Sequence, residues 1–384
     1  MKMRKICVFI GSRANYSSIK SAMIAIQNHP DLELLVILGA SALLDRYGSV
    51  AELIKKDGFK VDEEVFMLLE GETPSTMAKS TGIGLIELPT IFDRLRPDVV
   101  LTVGDRFETM ATTLAASYMN IAVAHTMGGE VSGTIDESIR HAVTKFAHIH
   151  FPASQDAKER IVKLGESLDS VHMVGCPRID LVAEIINNAS NELNILQDDG
   201  VGSKIDFDKP FLIVSQHPVT TEYGHGEKQI RETLEAVRKT GMQAIILWPN
   251  SDAGAEDISR GIRKFREEGC AQNMHFFKNL PVSDYIQLMN RTACLVGNSS
   301  SGIREGAFIG TPVVNIGNRQ NRRQHGRNVI NTDYKCSEIY NALIKQIENG
   351  KYPSENIYGD GNAGNRIANI LSSCSWSIQK VISY

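Results

Sequence analysis

Short apolar runs alternate with helical patterns from one end of the chain to the other. Ile6–Ile10, Leu34–Leu38, Val99–Val103 and Ile121–Ala124 are continuous apolar stretches of the kind that form strands buried on both faces. Between or after them, Ser18–Asn28, Thr73–Leu95, Glu108–Met119 and Glu137–Ala147 carry helical periodicity. Thr73-Pro74 is a strong helix start, a capping hydroxyl followed by proline at the first helical position. The pattern lapses into Asn, Ser, Asp and Gly over Ala189–Lys209 and then restarts. Phe211–Ser215, Ala244–Trp248, Cys294–Gly297 and Pro312–Ile316 read as strands; Ile230–Lys239, Asp257–Glu268, Val282–Asn290 and Ser337–Glu348 read as helices. Such alternation predicts an α/β protein with parallel sheets covered by helices on both faces. Two doubly wound domains are expected, residues 1–189 and 190–365, with 366–384 as a C-terminal helix and polar tail.

The length of 384 residues agrees with two cores, and a hydrophobic content of 42% suffices to fill them. A net charge of −4 argues against a general nucleic-acid surface. No apolar stretch is long enough to span a bilayer, and the N-terminal run is too short for a signal-peptide core, so a cytoplasmic protein is expected. The six cysteines are scattered, with no Cys-x-x-Cys, and read as reduced thiols. No spacing suggests a metal site; His148 and His150 alternate as on a strand. Neither metal nor cofactor is expected.

Ionisable residues gather where strands end, which is where open α/β sheets bind ligands. The densest stretch is Gly128-Gly129-Glu130-Val131-Ser132-Gly133-Thr134-Ile135-Asp136-Glu137-Ser138-Ile139-Arg140-His141. It suits proton transfer beside an anionic substrate. Gly11-Ser12-Arg13-Ala14-Asn15-Tyr16-Ser17 follows the first strand, where glycine admits close backbone approach and Arg13 supplies a cation suited to phosphate. Gly-x-Gly-x-x-Gly is absent there, and the Gly82-x-Gly84 pair lies inside a helical pattern, so no dinucleotide fingerprint is present. Gly104-Asp105-Arg106-Phe107-Glu108 follows the third apolar run; the bland account of Asp105 is a helix cap. Ser215-Gln216-His217-Pro218 places a histidine at the corresponding strand end of the second half. Gly297-Asn298-Ser299-Ser300-Ser301-Gly302 leads into a helix at Gly302 or nearby, an anion cradle with Glu305 one turn in, placed to accept from ribose hydroxyls. Asn250-Ser251-Asp252 is a weaker echo, and Arg319-Gln320-Asn321-Arg322-Arg323 adds cations.

Taken in order, Gly11-Ser12-Arg13-Ala14, Gly104-Asp105-Arg106, Gly128 to Asp136, Gln216-His217-Pro218-Val219-Thr220-Thr221, Gly297-Asn298-Ser299-Ser300, Gly317-Asn318-Arg319-Gln320 and Tyr358-Gly359-Asp360-Gly361-Asn362 resemble the hydrolysing branch of the UDP-N-acetylglucosamine 2-epimerase family. The resemblance covers nearly the whole chain. It implies a GT-B-like pair of Rossmann-like domains with the UDP-sugar in the cleft between them, a C-terminal helix crossing back to the first domain, and a homodimer. It implies that Arg13, Ser17, Ser299, Ser300, Glu305 and Arg319 contact UDP, joined by Asn250 and Asp252. Asp105, Arg106, Glu130, Asp136 and His217 match the catalytic neighbourhood, Arg106 on the substrate side. Many members have an acidic residue before the glycine pair, where this chain has Met127.

The implied reaction converts UDP-N-acetylglucosamine and water to N-acetylmannosamine and UDP. Loss of UDP acidifies C2–H; Asp105 or Asp136 removes that proton to give 2-acetamidoglucal, with Glu130 as orienter or second acid/base. Arg13, His217 and the Ser299–Ser300 helix start stabilise the leaving group; Arg140 and His141 balance the charges. Three alternatives stay open: the same chemistry on UDP-2,4-diacetamido-2,4,6-trideoxyglucose, a GT-B glycosyltransferase, and a UDP-sugar sensor without turnover.

Overall fold

The computed structural model describes residues 3–44, 50–70, 73–131, 135–188, 200–219, 222–249, 254–278 and 280–383. The described residues form two compact units, one of 3–131, 135–181 and 358–383, the other lying between 182 and 357.

The chain begins β1 (Arg4–Ile10), α1 (Arg13–Ser17), α2 (Lys20–Gln27), β2 (Leu32–Gly39), α3 (Val50–Lys56), β3 (Glu63–Val65) and α4 (Pro74–Leu95). It continues β4 (Val99–Val103), α5 (Phe107–Tyr118), β5 (Ala122–Thr126), α6 (Ile135–Phe146), β6 (Ile149–Phe151), α7 (Gln155–Lys163) and α8 (Pro177–Asn187). The second unit adds β7 (Val201–Gly202), β8 (Phe211–Ser215), α9 (Gly226–Lys239), β9 (Gln243–Leu247), α10 (Ala255–Glu267), β10 (Met274–Phe277), α11 (Val282–Arg291), β11 (Cys294–Gly297), α12 (Ser300–Ile309), β12 (Val313–Ile316), β13 (Val329–Thr332) and α13 (Cys336–Asn349). Helix α14 (Ala363–Ser373) returns to the first.

The first sheet runs β3-β2-β1-β4-β5-β6, all parallel. The second runs β13-β12-β11-β8-β9-β10-β7. Apart from β7, which is antiparallel to β10, its order is the first sheet's order repeated. Each sheet therefore reverses direction of build once, at β1/β4 and at β8/β11. Those reversals are where doubly wound sheets open a crevice for ligands.

Strand periodicity explains the two-faced burial. Ile6, Val8 and Ile10 join a core with α2 and α14, whereas Cys7 and Phe9 join a second core with α4 and α5. In the second unit Leu212, Val214 and Ile246 pack with α9, α10 and α13. Of the two glycines in α4, Gly84 serves packing: a Cβ there would lie 2.6 Å from Met67 Cε. The thiols of Cys7 and Cys294 are buried, and burial pushes both up.

Three expectations change. The helix read over Ser18–Asn28 is shorter, running from Lys20 to Gln27 as α2, because Ser18 closes the preceding α1 with its amide. The connection read to Lys209 contains β7, short and exposed, with Gly202 at φ +125° where a Cβ would lie 2.3 Å from Met274 O. The helix expected near Gly302 starts at Ser300.

Helix α14 lies close on α2: a Cβ on Gly364 would come within 2.6 Å of Ser21's backbone. Asp180 receives the amides of Ala363 (2.9 Å) and Gly364 (2.7 Å) and the hydroxyl of Ser21 (2.9 Å). One carboxylate thus caps α14 and ties it to α2. Beyond α14, Lys380 reaches the buried Glu166 at 2.6 Å. Asp180→Ala is expected to destabilise the protein by about 2 kcal/mol, a lost cap plus a lost tertiary bond. Urea titration reads this, and an unmoved midpoint would mean apolar contacts alone hold α14.

Candidate active site

Four of the loops singled out by sequence follow β1, β4, β8 and β11, the strands at the two reversals. In the first unit, Ser12 caps α1 through the Asn15 amide at 3.1 Å. Arg13 follows it, half-buried. Ser17 is buried; its hydroxyl donates to Ala14 O at 3.0 Å and accepts from Arg178. Gly11 has a different role from the one read in sequence. A Cβ there would lie 2.5 Å from Glu108 Cγ and 2.6 Å from its Oε1. The glycine makes room for a buried carboxylate, which in turn holds Arg106 Nε at 3.1 Å.

Asp105 is not the cap of α5. That position belongs to Arg106, with no side-chain capping bond. The Asp105 carboxylate instead pairs with the guanidinium of Arg140, whose side chain is only 4% exposed. Arg140 Nη1 also donates to Glu130 O at 2.8 Å. One buried cation therefore joins the loop after β4, the loop after β5 and helix α6. Asp136 stands one turn before Arg140 on α6, so the two share a face. Glu130 itself is buried.

His125 on β5 braces the same loops. Its Nε2 lies 2.8 Å from Gly104 O, and its Nδ1 lies 3.4 Å from Thr144 Oγ1 on α6. Burial pushes its pKa down to about 3, so the ring is neutral. A Cβ on Gly128 would approach its Nδ1 to 2.9 Å, and one on Gly129 (φ +74°) would reach 2.3 Å from Ala157 O. The glycine pair is thus steric. Met127 beside it adopts φ +62°, a conformation unfavourable for a side-chain-bearing residue, and packs on the apolar core. His148 and His150 go elsewhere, to Val123 N and Ile378 O and to Glu166.

In the second unit, Ser299 caps α12 and accepts the Ser301 amide at 3.4 Å. Ser301 Oγ is engaged by Ser299 Oγ (2.8 Å) and Tyr285 OH (2.6 Å), so the hydroxyl nearest the helix mouth without an internal role in this chain of bonds is Ser300, the first helical residue. Glu305 lies one turn further, buried. Burial of Tyr285 itself pushes its phenol up, and the Glu305 charge adds to this. Asn298 binds the backbone of His217, and its carbonyl accepts from Arg319 Nη1 at 3.2 Å. Burial first, then the Arg319 cation, pushes His217 down to about 3. His217 is neutral and enters any leaving-group contact as a hydrogen-bonding group, not as a resident cation. Asn250 and Asp252 lie outside the described residues.

A family model described as UDP-N-acetylglucosamine 2-epimerase matches residues 24–372. The chain belongs to that family. It is 33% identical over 369 residues to the UDP-N,N'-diacetylbacillosamine 2-epimerase (hydrolyzing) of Legionella pneumophila, covering 96% of each chain. It is 29% identical over 360 residues to the UDP-N-acetylglucosamine 2-epimerase of Neisseria meningitidis, covering 94% of this chain and 92% of that one. The crystal structure of UDP-GlcNAc 2-epimerase from Neisseria meningitidis bound to UDP-GlcNAc has the same fold, with TM-score 0.81 at 18% identity over 96% of this chain and 99% of that one.

Within this family member, the residues that sequence reading left out of the site are Arg140 as an Asp105 partner, Glu108, Arg178, Tyr285 and Asn298. Arg140 had a local signal, four residues after Asp136. Tyr285 and Arg178 had none, since their partners lie 16 and 161 positions away.

The neutral, buried His125 makes the fold acid-sensitive. Its folded pKa lies below the unfolded value of about 6.5, so the unfolded chain binds the extra proton. Its contribution is complete above pH 6.5 and falls by about 1.4 kcal/mol per pH unit below it, down to the folded value. Denaturant titrations at pH 7.0 and 5.0 should show a smaller loss in His125→Gln than in the parent. Equal losses would locate the acid sensitivity elsewhere.

Proposed function

We propose that the protein is a hydrolysing 2-epimerase that converts UDP-N-acetylglucosamine and water to N-acetylmannosamine and UDP. The observation that carries the reading is the Asp105–Arg140–Glu130 arrangement at the carboxyl ends of β4 and β5, in a member of the epimerase family. It supports acid/base chemistry in the first unit. The Ser299–Ser300 helix start, Glu305 and Arg319 of the second unit supply the complementary set for a nucleotide diphosphate.

The C1–O bond breaks with its electron pair going to UDP. Arg13, Arg319 and the α12 amides stabilise the departing phosphate, and neutral His217 donates a hydrogen bond to it. Positive charge at C1 acidifies C2–H, and Asp105 takes that proton, leaving 2-acetamidoglucal. Arg140 fixes the Asp105 carboxylate while the proton transfers. A carboxyl group on the opposite face, Asp136 or Glu130, then protonates C2 to give the manno configuration, and water adds its oxygen to the C1 cation while its proton passes back to that carboxylate; the proton taken by Asp105 leaves to solvent. Ser17 and Arg106 contact the substrate in this scheme. By the family resemblance the enzyme is a homodimer.

A second reading has its own support: the Legionella pneumophila relative is a UDP-N,N'-diacetylbacillosamine 2-epimerase (hydrolyzing). In it the same residues act on a sugar bearing a second acetamido group.

Proton NMR in heavy water separates these readings. The first expects free UDP with N-acetylmannosamine deuterated at C2; turnover of the diacetamido substrate alone would favour the second. UDP binding without release from either sugar would sink both. Asp105→Asn should abolish release yet keep UDP affinity within about tenfold, or about 1.4 kcal/mol. Equal loss of binding would make Asp105 structural.

A further inference from the structure

Asn298 follows β11, fully buried, at the reversal point of the second sheet. Its side chain makes a reciprocal pair with one residue of the neighbouring loop. The His217 amide donates to Asn298 Oδ1 at 2.7 Å, and Asn298 Nδ2 donates to His217 O at 2.8 Å. The amide thereby acts as an extra rung of the β8–β11 ladder, whose last backbone pair is Gly297 opposite Ser215. Its own N–H continues that ladder to Ser215 O at 3.2 Å. Its carbonyl gathers a third loop, accepting from Arg319 Nη1 at 3.2 Å and from Gln320 Nε2 at 2.9 Å. The next residue, Ser299, is the cap of α12. The approach is close because Gly297 has φ +132°, where a Cβ would lie 2.2 Å from Ser215 O.

A primary amide of this length is needed for both bonds. Aspartate keeps the acceptor for the His217 amide but sets a carboxylate oxygen against His217 O, and serine retains one polar atom. We propose that Asn298 is a positioning residue, fixing His217 and Arg319 against the Ser299–Ser300 helix start so that the diphosphate leaving group meets all three already assembled. The inference rests on the reading of these residues as the UDP-binding set. It assigns Asn298 no contact with substrate.

Asn298→Asp is the informative variant. Two-dimensional NMR of the histidine rings, with His217→Ala for assignment, reads the arrangement without turnover. In the parent His217 stays neutral to about pH 3. In Asn298→Asp its midpoint should rise towards the ordinary value of about 6.5, and it should rise also in Asn298→Ser, which adds no carboxylate beside the ring, because the ring leaves both its burial and the Arg319 cation; a rise in Asn298→Asp alone would be the new charge and would overturn the inference. With UDP-sugar, kcat should fall about 100-fold and UDP affinity about tenfold. A folded Asn298→Asp protein with parental His217 midpoint and parental kcat would overturn the inference, as would a fall in melting temperature alone. Should that variant fail to fold, Asn298→Ser carries the same test in the same direction. A parent that releases no UDP from either sugar, with the His217 midpoint still moving in the variant, would remove the functional reading and leave the positioning role standing.

Discussion

A buried guanidinium without partners is not tolerable in a protein core, and Arg140 is buried. The first unit is arranged to satisfy it. Its partners are the carboxylate of Asp105 and the carbonyl of Glu130, from loops after two adjacent parallel strands. Both loops must turn sharply to reach it, which is why Gly104 has φ +72° and Gly129 φ +74°. His125 fills the remaining space between them as a neutral ring. Breaking such a pair leaves a charge stranded, at a cost on the order of 3–5 kcal/mol. The same pairing presents Asp105 in one orientation, so stability and the proposed proton chemistry depend on a single contact.

The second unit meets a similar demand with a different group. Its strands repeat the first sheet's order, so its loops meet at an equivalent reversal. There a neutral amide, Asn298, joins three loops where Arg140 joins two and a helix. The difference suits the chemistry proposed for each. Proton transfer needs carboxylates held by a cation; a nucleotide diphosphate needs donors, cations and a helix start with no competing carboxylate beside them. Glu305 fits this division, because it stands a turn away from the helix mouth, buried beside Tyr285.

Central strands were legible in the sequence because both faces are buried. Val99–Val103, Phe211–Ser215 and Cys294–Gly297 have the same bounds in both readings. Edge strands were not: Glu63–Val65 is largely polar, and Val201–Gly202 is exposed at both residues. The loops of the site were legible as loops, since glycine and charge at strand ends are local signals. Their internal logic was not. Gly11 read as a place for ligand approach, yet it accommodates Glu108 from the first turn of α5. Asp105 had a cap as its plain alternative, and only the tertiary contact with Arg140 removes it. Contacts made across the sheet carry no periodicity and leave no spacing to read.

The most direct test of this account changes Arg140 to Lys, which keeps the charge but loses the planar fork that reaches Asp105 and Glu130 together. Steady-state UDP release and UDP affinity by calorimetry are measured on the same preparation. The account predicts a fall in kcat of about 100-fold with UDP affinity within about threefold of the parent. Parental kcat, or affinity falling in step with kcat, would contradict it.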